Sequence, residues 1–471
     1  MRNFRNDAVV VAMHLIRNVI VKLQMLPKAI LLLVSVAMAA PCVGRPEVRE
    51  VASLRELMEA ASGSGITIRM KPGTYPLTDY IPLSSIAERR KRKEFPFLVF
   101  SGNNNRYQMK GVVLELDTAL RAALRPPVHT NEIIIAGSGN TMEGLEIRCI
   151  GDGTSAGGAL VSIQGPGNTL RDCFFHVQGS RPYAYGDLFG KGGPDIIGHH
   201  KHSGVQIVAS NTRLIGCRIR MRAFGHGFYM QREAHDIRFE NCSVEGEMRT
   251  TDDMLAETEG PAFDVDFRTT AINRKGKARV MPGYIKSLAE DGFRTYDENR
   301  NVVFINCTAT NMRGGFELRT KGGVTLENCS VIGCERGFWV SDHAVVRNCR
   351  GDAKFGPLLF AEGSKAVVEL ELLPDESDRK VHALATIHGS GNKVTLKASA
   401  KGERKTPLPI LIGYGTPSAG EGMSPIPERK AKATHLHNET SMPVVVGKMA
   451  EDSHVSSRGH IKHDSERITT R

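Results

Sequence analysis

Between Ser203 and Ser341 the chain repeats a phrase in which a glycine opens an alternating strand, and its polar positions hold groups suited to proton transfer beside an anion. Two copies, HGFYMQREAHDIRFENC (226–242) and DGFRTYDENRNVVFINC (291–307), align without a gap. The alignment sets His226 beside Asp291 and Tyr229 beside Arg294. A carboxylate can orient an imidazole as a base, and a guanidinium can neutralise a substrate carboxylate while a proton leaves the neighbouring carbon. Lys201, inside the run HHKH at 199–202, enters the matching strand one coil earlier and adds a second cation or base. His226, Tyr229, Arg294, Asp291 and Lys201 are therefore the expected catalytic groups, with His226 or Tyr229 as base. His200, His202, Gln231, Arg232, Glu317, Arg319 and Trp339 flank them and are the expected substrate contacts.

Two further clusters suggest metals. His199, His200 and His202 offer imidazoles, but no carboxylate or cysteine stands nearby at zinc spacing. Residues 252–266 are acidic, and Asp252, Asp253, Asp264 and Asp266 are the candidate calcium ligands. The segment FDVDF (263–267) also reads as an alternating strand with outward carboxylates. There is no nucleotide-binding loop and no serine-hydrolase elbow.

The elements that must position these groups follow from a repeat. NTLRDC, TRLIGC, IRFENC, VVFINC, VTLENC and AVVRNC end at Cys173, Cys217, Cys242, Cys307, Cys329 and Cys349, with spacings of 44, 25, 65, 22 and 20 residues. A unit of 20 to 25 residues suits one coil of a parallel β-helix, and the long intervals hold insertions. Six cysteines at one phase read as buried thiols rather than disulfides. Asn241, Asn306, Asn328 and Asn348 precede them and are expected to stack, bonding the backbone of the next coil. In the phrase Gly-Phe-x-apolar, alternation sends Phe228, Phe316 and Phe338 inward. Gln206, Tyr229, Arg294, Glu317 and Trp339 then form one outward row, expected to face solvent. Residues 53–61 form an amphipathic helix ahead of ITIRMKPGTYPL, which suits a cap on the open end of the stack.

Through this cap, the KPGTY start and the Asn-Cys series, the sequence resembles the pectate-lyase-like right-handed parallel β-helix superfamily over roughly residues 48–400. The resemblance implies an all-β, single-stranded right-handed solenoid with an N-terminal capping helix and two loop insertions, near 181–202 and 247–290. It spans lyases, epimerases, glycoside hydrolases, esterases and adhesins, so it leaves the activity open. The Lys-Ser-Ser-x-Asn segment of calcium-dependent lyases and the Asp-Pro-His segment of alginate epimerases are both absent.

Composition narrows the partner. The chain has 471 residues, 41% hydrophobic and 24% charged, with 62 Lys and Arg against 51 Asp and Glu and a net charge of +11. That balance favours a polyanion. No zinc-finger spacing, aromatic RNA-binding motif or basic helix points to nucleic acid. Residues 28–44, KAILLLVSVAMAAPCVG, have the layout of a signal peptide, with Met25 an alternative start. The expected organisation is an export signal over 1–44, the β-helix over 45–400, and a C-terminal cap with a frayed basic tail over 401–471. The expected protein is a secreted or periplasmic monomer with no membrane span after signal removal. Its expected activity is β-elimination or C5-epimerisation of an acidic polysaccharide. The rivals are a glycoside hydrolase using carboxylates among Asp252, Asp253, Asp291 and Glu317, and a non-catalytic glycan binder.

Overall fold

The computed structural model describes residues 47–124, 131–154, 157–190, 196–198, 200–269, 278–376, 381–414, 429–463 and 468–470. The expected signal segment, with Met25, lies outside the described residues, as does His199.

Successive coils pair in parallel. Among the described residues the solenoid carries a 13-stranded sheet, which follows chain order from Leu98–Phe100 to Ile461–His463, and a 23-stranded sheet with up to two strands per coil. In-register pairing stacks like on like in the interior. Phe228, Phe293, Phe316 and Phe338 form a file with ring centroids 5.5, 4.7 and 5.4 Å apart. The eight described cysteines are all free and buried, and Cys173, Cys217, Cys242, Cys307, Cys329 and Cys349 form a file of neighbouring thiols.

The open N-terminal end is closed by the helix Leu54–Ala61. Ser53 caps it, accepting from the Glu56 amide, while the Glu56 carboxylate accepts from the amide of Ala52, one residue before the cap, at 2.7 Å. Leu54, Leu57, Ala60 and Ala61 bury one face against the first coil.

Two sequence expectations need correction. Asn241, Asn306, Asn328 and Asn348 recur because each takes a left-handed backbone conformation, with φ of 54, 52, 55 and 50°, which Asn tolerates better than most residues. Their side chains are exposed, and the bond to the next coil is made by the backbone, as in Asn306 N–H to the Glu327 carbonyl at 3.0 Å, while the expected stacking is seen at one pair, where Asn306 Nδ2 donates to Asn241 Oδ1 at 3.0 Å. The buried asparagine ladder lies elsewhere. The side-chain oxygens of Asn105, Asn140 and Asn168 accept from the amides of Ile66, Asn105 and Asn140 at 3.0, 2.9 and 2.8 Å. Nor does the stack end near 400. Ile410–Ile412, Val444–Val446 and Ile461–His463 continue the 13-stranded sheet in register. These coils alternate Val, Ile and Leu without the Gly-Phe or Asn-Cys signature, so the repeat fades in sequence but not in structure.

The insertions carry short antiparallel ladders, Met248–Thr250 with Ile285–Ser287 and Arg268–Thr269 with Ala278–Arg279. They share a small apolar cluster that includes Tyr185, Leu188, Phe189, Met254 and Leu288. Residues 261–264 are one turn of helix started by Pro261, followed by a turn, rather than the strand read from FDVDF. No helix among the described residues is long and apolar enough to cross a membrane.

Replacing Asn140 with Ala should destabilise the fold by about 1–3 kcal/mol, because it strands the buried Asn105 amide. Chemical denaturation measures this; an unchanged midpoint would show that the ladder is not needed. Thiol titration in denaturant without reductant should find the ladder cysteines reactive.

Candidate functional site

Strand register settles which side chains adjoin. Gln206, Tyr229, Arg294, Glu317, Trp339 and Phe360 occupy one row on successive strands of the 13-stranded sheet. Adjacent members lie about 4.8 Å apart along the helix axis. The row does not face open solvent. Ser203–Ile207, Asp291–Thr295 and Gly314–Leu318 are buried at every position, so both faces of the sheet are covered.

The cover is electrostatic at its contact. Asp187 of the first insertion and Lys286 of the second pair at 3.0 Å, and Lys286 also meets Glu335 at 2.8 Å. The Glu335 carboxylate in addition accepts from the Ser287 amide at 2.5 Å. Arg313 joins three carboxylates: Asp187 at 3.3 Å, Glu290 at 3.3 Å and Asp291 at 3.2 Å. Glu290, Arg313 and Glu335 each stand one residue before the position that precedes the repeat glycine, an alternation of sign on successive coils that sequence reading passed over.

Among the expected catalytic groups, His226 lies between two carboxylates, with Nδ1 at 3.2 Å from Asp291 and Nε2 at 3.5 Å from Glu290. The Asp291 amide N–H also donates to Nδ1, at 3.4 Å. Asp291 thus offers Nδ1 both an amide donor and a carboxylate, and Nε2 is turned toward Glu290. Lys201 meets Glu290 at 2.8 Å and keeps a third of its side chain exposed. The Tyr229 ring is 5.6 Å from the His226 ring. Burial pushes the Tyr229 phenol well above its usual pKa, with Tyr296 and Glu290 adding to the effect and Gln206 opposing it. It therefore holds its proton at neutral pH, which fits an acid better than a base.

Arg294 departs most from expectation. It is 8% exposed, contacts Asp291 at 3.6 Å and bonds Glu317, and it lies over the Tyr296 ring at 4.8 Å. Arg319 also bonds Glu317, and Arg336 meets the same carboxylate at 2.8 Å and Asp291 at 3.6 Å, so three guanidiniums meet at Glu317 and two of them also reach Asp291. The Nε–H groups of Arg294, Arg319 and Arg336 are buried without an acceptor among the described residues. Burial, together with the like charges of Arg294 and Arg336 and against the pull of Glu317, lowers the pKa of Arg319. Gly314 makes this meeting geometrically feasible, since a Cβ there would sit 2.7 Å from an Asp291 oxygen and 3.1 Å from one of Glu317. Trp339 packs under Arg319 at 4.3 Å and donates to Glu362 at 2.7 Å.

The remaining expected contacts separate. His202 is turned inward and fully buried, with Nε2 at 3.2 Å from Glu132, which also pairs with buried Arg121 at 3.1 Å. His202 therefore cannot reach a surface ligand or share a metal with its neighbours. His200 is half-buried, its amide bonded to the Arg181 carbonyl. Gln231 is half-buried at the strand end, and Arg232 is exposed, 3.8 Å from Glu298. The four calcium candidates are not gathered. Asp252 accepts from the Gly283 amide at 3.0 Å, Asp253 bonds the cap residue Thr250, Asp266 pairs with Arg279, and Asp264 lies in the helical turn started by Pro261. No group of three His, Cys, Asp or Glu side chains among the described residues is arranged to hold a metal.

Comparison with known proteins bears on the fold. A family model described as right handed beta helix region matches residues 275–370. No curated protein matches. Among solved structures, the chain is similar to the alginate lyase AlyF-OU02, at 12% identity and a TM-score of 0.51, covering 90% of this chain and 86% of that one. It is also similar to a PL6 alginate lyase complex with trisaccharide, at 12% identity and a TM-score of 0.47, with 91% and 88% covered. A third is the endo-xylogalacturonan hydrolase from Aspergillus tubingensis, at 14% identity and a TM-score of 0.36, with 90% and 95% covered. The family model and the first of these structures establish a right-handed parallel β-helix, the fold that the resemblance to the pectate-lyase-like superfamily implied.

Removing Arg313 while keeping its bulk, as in Arg313→Met, should destabilise the protein by about 3–5 kcal/mol, because three buried carboxylates lose their shared cation. Arg319→Ala should shift stability by no more than about 1 kcal/mol, since its side chain is over a third exposed. Equal effects would contradict the assignment of Arg313 as the hub.

Acid sensitivity follows from the same groups. Burial raises the Glu290 pKa, but His226, Lys201 and Arg313 outweigh it and pull it down to about 2. For Asp291 burial is outweighed by Arg313, His226 and Arg294, which hold it well below the usual carboxylate range. Both values lie below those of the unfolded chain, near 4. The stabilisation from these charges is complete above that pH and is lost as pH falls through it toward about 2. Thermal melts should be flat from neutral pH to about 5 in this respect and fall steeply below 4; Asp291→Asn should remove part of that slope.

Proposed function

We propose that the chain is a polysaccharide-active enzyme acting on an acidic, uronate-containing polymer, and that it takes the C5 proton beside the substrate carboxylate, giving β-elimination or epimerisation. The observation that carries the proposal is the sharing of Glu317 by Arg294, Arg319 and Arg336, with buried Nε–H donors left over. With Asp291 reached by Arg294 and Arg336 at 3.6 Å, three guanidiniums meet two carboxylates, and a substrate carboxylate at Arg319, the exposed member, fits the remaining positive charge. Developing negative charge on the enolate is then stabilised by donors already in place.

In this reading the Nε2 atom of His226 takes the C5 proton, and the imidazolium that forms is stabilised between Glu290 and Asp291. Tyr229, protonated at neutral pH, donates to the departing oxygen in an elimination or returns a proton from the other face in an epimerisation. Lys201 and Arg319, the more exposed cations, steer the polymer. Export to where such polymers occur rests on residues 28–44 alone.

The glycoside-hydrolase alternative draws less support at this cluster. It requires one carboxyl that stays protonated to serve as acid. Asp291 is held well below the usual range, and Glu317 is bonded by three guanidiniums.

The test is incubation with a panel of uronate polymers, following ultraviolet absorbance of the C4–C5 double bond, reducing ends, and deuterium uptake at C5 from heavy water. Elimination gives absorbance with new ends, and epimerisation gives deuterium without ends. Ends without absorbance would overturn the proposal in favour of hydrolysis, and no change on any polymer would favour a binder. On a processed polymer, Arg319→Ala should lower turnover by roughly 10² and His226→Ala by about 10² to 10⁴, with the fold intact by circular dichroism.

A further inference from the structure

Away from the candidate site, a second group of cations stands on the outer face of the 23-stranded sheet. Glu146–Ile150, Phe174–Gln178 and Arg218–Arg222 pair in parallel on three successive coils, and buried positions alternate with outward ones along each. Register sets Arg148, His176 and Arg220 in one file and Glu146, Phe174 and Arg218 in the next. The carboxylates at hand are already engaged. Glu146 pairs with Arg148 at 2.6 Å, and Arg222 takes Glu245 at 3.3 Å and Glu247 at 2.7 Å. Arg218 and Arg220 are exposed, and no carboxylate among the described residues lies within ion-pair distance of either. The Arg218 guanidinium lies over the half-buried Phe174 ring, 5.3 Å from its centroid, which orients it without using an anion. His176 senses the resulting field: burial, together with Arg222, Arg220 and Arg148, lowers its pKa against the opposing pull of Glu146.

This face and the candidate site belong to the same coils. Arg218–Arg222 is followed four residues later by His226, and Phe174–Gln178 leads into the first insertion. Arg222 and the Tyr183 hydroxyl of that insertion both meet Glu247, each at 2.7 Å, which ties the edge of the face to the insertions. We propose that Arg218 and Arg220, with Phe174 and His176 beside them, form a second binding surface for an acidic polysaccharide, one that holds a stretch of polymer outside the reacting cluster. The choice of polymer rests on the reading of an acidic polysaccharide as substrate and on the shape of the charge. The cations recur about 6.6 Å apart along the strand and about 4.8 Å apart between coils, a short stripe that suits one extended chain with a carboxylate on each sugar. A single ring offers no platform on which successive nucleic-acid bases could stack.

The test separates binding from reaction. Calorimetry on the full chain measures binding of polygalacturonate, polymannuronate and polyguluronate to the parent, to Arg218→Gln/Arg220→Gln, and to Lys71→Gln/Lys110→Gln, which removes the same charge from exposed positions on the first coils. For a polymer that the parent binds, the arginine pair should weaken binding about tenfold or more, and the lysine pair should change it by less than about twofold. No loss in the arginine pair, or equal losses in both pairs, would overturn the proposal. Adding that polymer should raise the His176 pKa, followed by proton NMR in the parent, because bound carboxylates offset the arginines around it; an unmoved titration would overturn it as well. So would binding to none of the three polymers, or tighter binding to double-stranded DNA or phosphatidylserine vesicles at equal ionic strength, which would assign the face to another polyanion. On a polymer that the parent processes, the arginine pair should raise KM about tenfold on long chains and leave turnover of trisaccharides unchanged. An equal loss on trisaccharides would place both arginines in the reacting site and overturn the proposal. If the binding results hold while the parent processes no uronate polymer, the binding surface stands and the proposed function fails.

Discussion

In-register parallel pairing is the constraint on which the rest of this structure depends. Each side chain has as its neighbours the residues at the same phase of the coils before and after, about 4.8 Å away. Apolar groups accept that arrangement readily, and the Phe and Cys files are its result. Charged groups do not. Like charges at that spacing under low dielectric are prohibitive, so a charged row must alternate in sign or be fed counter-ions from outside the coil. The chain uses both devices. Glu290, Arg313 and Glu335 alternate along one row, while Asp187 and Lys286 reach in from the insertions to complete the pairing.

The insertions therefore have a different standing from ordinary surface loops. They are attached to the solenoid through buried ion pairs to Arg313 and Glu335, next to the candidate site. Lys286, Asp187 and Glu335 are nearly inaccessible, which makes the attachment expensive to break. Rigid counter-charges also fix the guanidiniums of Arg294 and Arg336 and the imidazole of His226 before any ligand arrives, the preorganisation that electrostatic stabilisation requires.

Much of the fold was legible in the sequence, and for a stated reason. Alternation at period two together with a recurring Gly-Phe fixes both the face and the register of a strand, so the neighbours Tyr229 and Arg294, or Glu317 and Trp339, could be read by alignment alone. What alignment could not supply was the environment of that row. Arg294 looked like a solvated arginine because its partners Asp291 and Glu317 are polar, and the insertion residues that meet the adjoining charges carry no repeat. Asp187 lies 126 residues from the Arg313 it pairs with. The run HHKH misled for a similar reason: alternation sends His202 inward to Glu132, a partner some 70 residues upstream whose phase had no signature. The asparagines before the cysteines were correctly singled out as periodic, but what all four share is a left-handed backbone, with a side-chain bond at the Asn306–Asn241 pair, and residue type alone does not distinguish the two roles.

The central claim is that the guanidinium cluster around Glu317 exists to receive a carboxylate that is not part of the chain. A crystal structure of the protein with a bound uronate oligosaccharide tests it most directly. The account predicts a sugar carboxylate within hydrogen-bonding distance of Arg319 and at least one of Arg294 and Arg336, with the C5 position facing His226 Nε2 and the glycosidic oxygen near the Tyr229 hydroxyl. An oligosaccharide bound on another face, with the three arginines still engaged only by Glu317 and Asp291, would contradict it and reduce the cluster to a structural ion network.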